Sequence, residues 1–542
     1  MADVSAQAPR LQAGQATTVS FSLRIPAIVP LLLVGLGIRL ALAFIDGFRV
    51  DMGTFQAWST QLANDHPWNF YKPGFFADYA PGYMYVLWFI GEIHQAVTFT
   101  DEQYQYALKI PSIVADLGSA WLLWVMLKEQ PAWKRHAVPA LYLLLPPVLW
   151  IGAIWGQVDS MLSFFLLLSV YYIGKDRPVA GAVAYTIGFL VKPQAIAALP
   201  ILAFWIMRKY PATPRSVSQR VRLASFSALG IVSTGFLAAV FGLSAPNWAF
   251  AVVTGAIFGW APLLIYDLGS RLLSRSPRKP HAPVVMIPPL MWLQCLVVPL
   301  AVFLVLITPF FQLEPWRIFE VLYDATNVPN YRVNSFWAYN FWNMGGIFEW
   351  GFRCDLPSSC PGTDANPTEF MGIATRYWGV FMFAASLVAI LLTFRKKQGN
   401  GFLALAVGLS MLAFYMFMTR MHERYVFPAF LPLLLACALL NARALWAAFA
   451  AAAAIHFVNL YHVYGYYYLF SAEDGHFYPD FIKWERFYEW IEDGDILGFD
   501  APLIGRLATT ETLSMIFLLT FFVMLAIPYA LTERPDKRST AT

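Results

Sequence analysis

Apolar runs broken by short basic clusters set the pattern of this chain from about residue 24 to residue 531. A helix needs about 20 mostly apolar residues to cross a bilayer, and Lys and Arg collect at the cytoplasmic ends of such helices. Placing the clusters 128–136, 175–177, 208–222, 275–279, 395–397 and 533–538 on the cytoplasmic side orders the rest. Spans then fall at about 24–45, 106–127, 136–154, 160–174, 178–191, 195–207, 223–243, 250–273, 286–311, 371–394, 401–418, 425–441, 443–462 and 508–531. The pattern predicts an all-α polytopic membrane protein of about fourteen transmembrane helices, one integral domain over 1–542 with both termini cytoplasmic. Its extracytoplasmic loops lie at about 46–105, 312–370 and 464–505. In the first of these, 82–98 follows Pro81 and carries Gly91, Glu92, His94 and Gln95. A crossing there would put the 128–136 cluster outside, so this stretch is expected to lie along the outer surface or to re-enter it.

Composition agrees. The 542 residues are 58% hydrophobic and 13% charged, and the mean hydropathy is +0.54, values of a membrane chain rather than of several soluble domains. Aromatic residues make up 17%, more than interfacial belts use, so some are expected to line a cavity. The net charge of +4 sits in short topological clusters, which excludes a nucleic-acid surface. Ala41-Leu42-Ala43 resembles a signal-peptidase site, but the apolar run 25–45 is longer than a usual signal core and is read as a retained first span. Cys295 and Cys437 lie in apolar runs and are read as core residues, whereas Cys354 and Cys360, in a polar outer loop, are a candidate disulfide.

This sidedness gathers the unusual polar residues at one face. The stretch from Arg49 to Tyr85 brings Asp51 and Asp78 together with Trp58, His66, Trp68, Tyr71 and Lys72. Carboxylates beside stacking aromatics can hold a sugar, a cation or a proton. Gln157 and Asp159, Lys192 and Gln194, Arg332, Asn334 and Asn340, and His422, Glu423 and Arg424 fall on the same side. Each has a plain reading: Lys192 snorkelling, Asp159 capping the helix that begins at Ser160, Arg424 anchoring at the interface, His-Glu-Arg as a surface ion pair. Together they mark function, because polar groups at membrane level are costly. No His/Cys spacing suggests zinc, and Asp493-Gly-Asp495 reads as a solvated turn.

Five of these stretches come in a telling order: Asp51-Met-Gly-Thr-Phe-Gln-Ala-Trp, Asp78-Tyr-Ala-Pro-Gly-Tyr, Trp155-Gly-Gln-Val-Asp, Lys192-Pro-Gln and His422-Glu-Arg. The series resembles the type C integral-membrane glycosyltransferases, above all the dolichyl-phosphate-sugar-dependent glucosyltransferases and the bacterial multipass mannosyltransferase-like relatives. The likeness runs from Asp51 to Pro428. It departs at Pro81-Gly82, where the family has two prolines, at Arg424, where it has Lys, and over 464–505, so neither donor nor acceptor carries over.

The resemblance implies inverting sugar transfer from a polyprenyl-phosphate donor at the extracytoplasmic face, in a bacterial cell membrane. Asp51 would be the general base and Asp78 a second catalytic carboxylate. Lys192, His422 and Arg424 would hold the phosphate, with Gln157, Asp159, Gln194, Glu423 and Arg332 around the substrate. The chemistry is consistent: an attacking hydroxyl must lose a proton to a placed carboxylate, while a leaving phosphate is already a stable anion. The lipid-linked sugar is a co-substrate, the acceptor a lipid-linked, glycan or protein hydroxyl in contact with membrane lipid; no cofactor is assigned, and a divalent metal is open but not expected. The competing class is a lipid-linked-sugar flippase or secondary transporter using Asp51 and Asp78 as ion carboxylates, although transporters keep such groups near midplane, where only Arg39 and Asp116 stand out here. Cysteines near Gln157 or Glu423 are expected to react with an impermeant thiol reagent from outside and one near Ser218 is not; labelling at Ser218 would reverse the topology.

Overall fold

The computed structural model describes residues 26–211 except 73, 213–216, 284–287, 289–326 except 313, 334–344, 369–469 and 510–531. They form sixteen α-helices, three two-stranded strand pairings and short single turns. Seven helices are long and apolar enough to cross a membrane, or eight if the pair Ala132–Leu144 and Pro146–Trp155, bent by 53°, is one span. That make-up is a multi-pass helical membrane protein.

The helices are α1 (Val29–Leu42), α2 (Arg49–Asp65), α3 (Pro81–Val97), α4 (Asp101–Met126), α5 (Ala132–Leu144), α6 (Pro146–Leu149), α7 (Asp159–Gly174), α8 (Pro178–Val191) and α9 (Leu199–Lys209). After a gap come α10 (Leu290–Phe311), α11 (Arg317–Thr326), α12 (Thr375–Phe394), α13 (Asn400–Phe417), α14 (Phe430–Leu440), α15 (Arg443–Leu469) and α16 (Thr510–Ala530). Expected spans at 106–127, 286–311, 371–394, 401–418, 425–441, 443–462 and 508–531 coincide with the seven long helices, and 136–154 with the bent pair. Fourteen crossings are more than the described residues carry. The spans 223–243 and 250–273 lie outside them, as do Cys354, Cys360 and Arg332. Where 24–45, 160–174, 178–191 and 195–207 were expected to cross, α1, α7, α8 and α9 have 14, 16, 14 and 11 residues. At about 1.5 Å per residue they reach some 16–24 Å, short of a hydrocarbon layer of about 30 Å.

The expected outer loop 46–105 is largely helical. α3 is the helix anticipated at 82–98. α2 has low overall hydrophobicity, but Met52, Phe55, Trp58, Ser59, Leu62 and Ala63 recur at three- and four-residue spacing and are all buried. Met52, Phe55, Trp58 and Leu62 join Phe70, Tyr71, Tyr79, Tyr83, Tyr104, Phe310 and Phe311 in an aromatic core separate from the larger core of α4–α9 and α12–α16.

Between the two cores the chain breaks its helices. After Pro146 and Pro147 it enters a π-helix, Trp150–Trp155, which ends at Gly156 with φ +86°. Its left-handed φ favours glycine, whereas the nearest atom a Cβ would meet, Met52 Cε at 2.5 Å, is the movable end of a side chain. Gly82 has a spatial role: a Cβ there would lie 2.5 Å from the carbonyl carbon of Leu190. The departure from the double proline thus lets α3 touch the last turn of α8, two residues before Lys192. Arg39 and Asp116, fully buried, pair at 3.1 Å; Arg39 also donates to the carbonyl of Leu143, and Tyr142 donates to Asp116 at 3.0 Å. This cluster ties α1, α4 and α5 together. Gly82→Ala is expected to destabilise the protein by about 1–3 kcal/mol through overpacking, read as a lower unfolding midpoint in detergent; an unchanged midpoint would contradict the close α3–α8 approach.

Candidate functional site

Four helix ends converge at the seam between the cores. Asp159 opens α7, Lys192 follows α8, Asp51 lies in the first turn of α2, and His422–Arg424 follow α13. Lys192 donates to both Asp159 oxygens, at 2.8 and 2.9 Å, and Gln194 Nε2 donates to Asp159 Oδ1 at 3.1 Å. The Lys192 and Asp159 side chains are 5% and 0% exposed, so Lys192 does not snorkel. The helix of Asp159 has no side-chain cap; its carboxylate answers Lys192 instead.

Beside this pair stands a second charged group. Arg424 Nη1 donates to Glu423 Oε1 at 2.8 Å and Nη2 to Asp51 Oδ1 at 3.4 Å, while Trp155 Nε1 donates to Asp51 Oδ2 at 2.7 Å. Glu423 is 1% exposed and Arg424 9%, which excludes a surface ion pair or an interfacial anchor. Burial, reinforced by the charges of Arg424 and Lys192, holds the His422 imidazole well below its ordinary pKa. Burial therefore disfavours the charged form in which it was expected to hold the phosphate. Gln157 and Glu423 are both buried, so sidedness is better read with a thiol at exposed Lys72 than at either.

A cavity of about 360 Å³ opens against these groups, lined among others by Asp78, Tyr79, Lys192, Gln194, Arg376, Arg420, His422 and Tyr425. Asp78 belongs to a clamped segment: Trp58 Nε1 donates to the carbonyl of Phe76 at 2.8 Å, and the Tyr71 hydroxyl donates to that of Tyr79 at 2.7 Å. Burial, with the Asp51 charge adding to it and the Arg424 and Lys192 charges opposing, raises Asp78 to a pKa of about 6. Lys192 Nζ is 5.0 Å from the Tyr425 ring and 5.6 Å from the Tyr79 ring. The Tyr79 hydroxyl donates to Gln157 Oε1 at 3.2 Å. Gln157 Nε2 and Gln194 Oε1, on residues 0% and 8% exposed, have no hydrogen-bond partner among the described residues. Of these two only Gln194 lines the cavity, where its amide suits a hydroxylated ligand better than a bare ion.

The structure therefore brings together Asp51, Asp78, Gln157, Asp159, Lys192, Gln194, His422, Glu423 and Arg424. Arg332 lies outside the described residues. Trp58 and Tyr71 belong to the aromatic core, and Lys72 pairs with Asp65 at 2.8 Å on the surface. Asn334 and Asn340 are structural: Asn334 accepts from Thr375, and Asn340 donates to the carbonyl of Tyr415. Sequence reasoning missed Arg376 and Arg420. Arg376 stands in the first turn of an apolar helix and looks like an interfacial anchor; Arg420 lies in the stretch that ends at Arg424, and its φ of +65°, rare for a side-chain-bearing residue, is not visible in sequence. Among the described residues no group of three or more His, Cys, Asp or Glu is placed to hold a metal ion.

No protein-family model matches this chain, and no curated protein sequence is significantly similar to it.

Removing one partner of a buried pair strands the other charge, at a typical cost of about 3–5 kcal/mol. Lys192→Met is accordingly expected to lower the unfolding midpoint sharply, and Lys192→Met/Asp159→Leu to recover much of the loss. Equal midpoints for wild type and the single variant would show that the pair does not bear on stability.

Proposed function

We propose that this protein is an inverting type C glycosyltransferase, taking a sugar from a polyprenyl-phosphate donor to an acceptor hydroxyl at the extracytoplasmic face of a cell membrane. The observation that carries this reading is the cavity, where a carboxylate, Asp78, shares the wall with the cations Lys192, Arg376 and Arg420 and the amide of Gln194. A sugar phosphate needs these parts: cations for the phosphate, amides for sugar hydroxyls, and a carboxylate for the acceptor proton. A leaving group that departs as a phosphate anion requires no general acid, so a single base suffices. The resemblance gives that role to Asp51.

The ordered motifs support the same reading, since Asp51, Asp78, Gln157, Asp159, Lys192 and His422–Arg424 meet in space although they are spread over 374 residues of chain. A transporter or flippase is the second reading. Against it stands the pairing of Arg39 with Asp116, which neutralises the ionisable groups deep in the bundle instead of leaving them for a travelling ion.

The test is direct. Purified protein in detergent is supplied with polyprenyl-phosphate glucose, mannose or arabinose and with membrane lipid and protein acceptors, and labelled sugar transfer is followed. One donor is expected to be consumed with release of polyprenyl phosphate. Arg376→Ala is expected to raise the Michaelis constant for that donor about tenfold or more, because a charge-assisted hydrogen bond contributes about 1.5–3 kcal/mol. Transport of a lipid-linked sugar without cleavage of any donor would favour the second reading.

A further inference from the structure

We infer that Asp78 takes the acceptor's proton and that Asp51 is a positioning residue that holds Arg424. This rests on the glycosyl-transfer reading above and departs from the role that the resemblance gives Asp51.

Both carboxylates are half-buried, and the cavity separates them. Asp78 lines the cavity with Lys192, Arg376 and Arg420, whereas Asp51 is not among its lining residues. Each Asp51 oxygen already accepts a hydrogen bond, Oδ2 from Trp155 at 2.7 Å and Oδ1 from Arg424 at 3.4 Å. Trp155 is itself fixed, its ring stacked on Phe48 at 4.3 Å. Asp51 is thereby held between the π-helix and the Glu423–Arg424 turn. Asp78 is half-buried, and the hydrogen bonds to the carbonyls of Phe76 and Tyr79 hold its segment on either side. A general base needs that combination: fixed backbone and an open face toward substrate.

Charge points the same way. The charged and titratable groups facing Asp78 are Asp51 from α2, Tyr71 and Tyr79 beside it, Lys192 after α8, Arg376 from α12, and Arg420, His422, Arg424 and Tyr425 after α13. Burial outweighs the cations among them and lifts Asp78 to about 6, closer to neutrality than an ordinary carboxylate and better matched to proton transfer near pH 7. In the step, the acceptor oxygen forms a bond to the anomeric carbon as its proton passes to Asp78. The bond from the anomeric carbon to the phosphate oxygen breaks, and its electron pair leaves on the polyprenyl phosphate. Asp78 then returns the proton to water. Only the deprotonated carboxylate can serve, so turnover should be full above pH 6 and should fall as pH drops through about 6.

Azide distinguishes a base from a positioning residue, since it attacks the anomeric carbon without losing a proton. With the polyprenyl-phosphate sugar that wild type consumes, Asp78→Ala should lose about 100-fold or more of its transfer to hydroxyl acceptors. Sodium azide should restore polyprenyl phosphate release from that variant, with glycosyl azide as product. Asp51→Ala should be slowed toward both acceptors alike, and its rate should keep an acid limb, moved below pH 6 because the Asp51 charge that helps raise Asp78 is gone. Asp78→Asn, which preserves volume, should behave as Asp78→Ala does and guards against a folding defect. Rescue of Asp51→Ala by azide, with none for either Asp78 variant, would overturn the assignment while leaving glycosyl transfer intact. If wild type cleaves no polyprenyl-phosphate sugar, the glycosyl-transfer reading fails and this assignment with it.

Discussion

Ions buried in an apolar bundle are tolerable only when each meets its opposite, and the site is organised by that requirement. Asp159 with Lys192, and Arg424 between Asp51 and Glu423, satisfy it using residues from four separate stretches of chain. The pairings join the start of α7, the end of α8, the first turn of α2 and the turn after α13. If any one of these ends moved, a charge would be left unmatched in a low-dielectric surrounding. Electrostatics thus fixes relative positions that apolar packing alone, which tolerates sliding, would leave loose.

Local backbone features make the convergence possible. The Pro146–Pro147 bend and the π-helix that follows turn Trp155 toward Asp51, and Gly156 ends that π-helix in the left-handed conformation glycine adopts freely. Gly82 brings α3 onto the last turn of α8, beside the residue that becomes the buried cation. α7 and α8, with 16 and 14 residues, are shorter than expected of crossing helices; α7 begins and α8 ends at the buried Asp159–Lys192 pair. The Arg39–Asp116 pair secures the other side of the π-helix: a Cβ on Gly152 would come within 2.7 Å of Asp116 Oδ2.

Much of this was legible in the sequence. The long apolar helices follow from run length, and the clustered site follows from motifs whose order and charge-derived sidedness agreed. What escaped had physical causes. α2 was read as loop because its average polarity hid a buried stripe at Met52, Phe55, Trp58 and Leu62. Asp159 looked like a helix cap because its partner, Lys192, is 33 residues away. His422 was grouped with the cations because sequence shows ionisable groups but not their burial, which disfavours its charged form. Arg376 was indistinguishable from an interfacial anchor; only the fold sets it beside Arg420.

The central claim is that the cavity beside Lys192 holds a lipid-linked phosphate. A cryo-electron microscopy reconstruction of the detergent-purified protein with polyprenyl phosphate, the leaving group of the proposed reaction, tests it most directly. The account predicts phosphate density within hydrogen-bonding distance of at least one of Lys192, Arg376 and Arg420, with the prenyl chain leading out toward lipid. Phosphate density elsewhere, such as the cavity lined by Asp46, Glu102 and Lys109, with the Lys192 cavity empty, would contradict it.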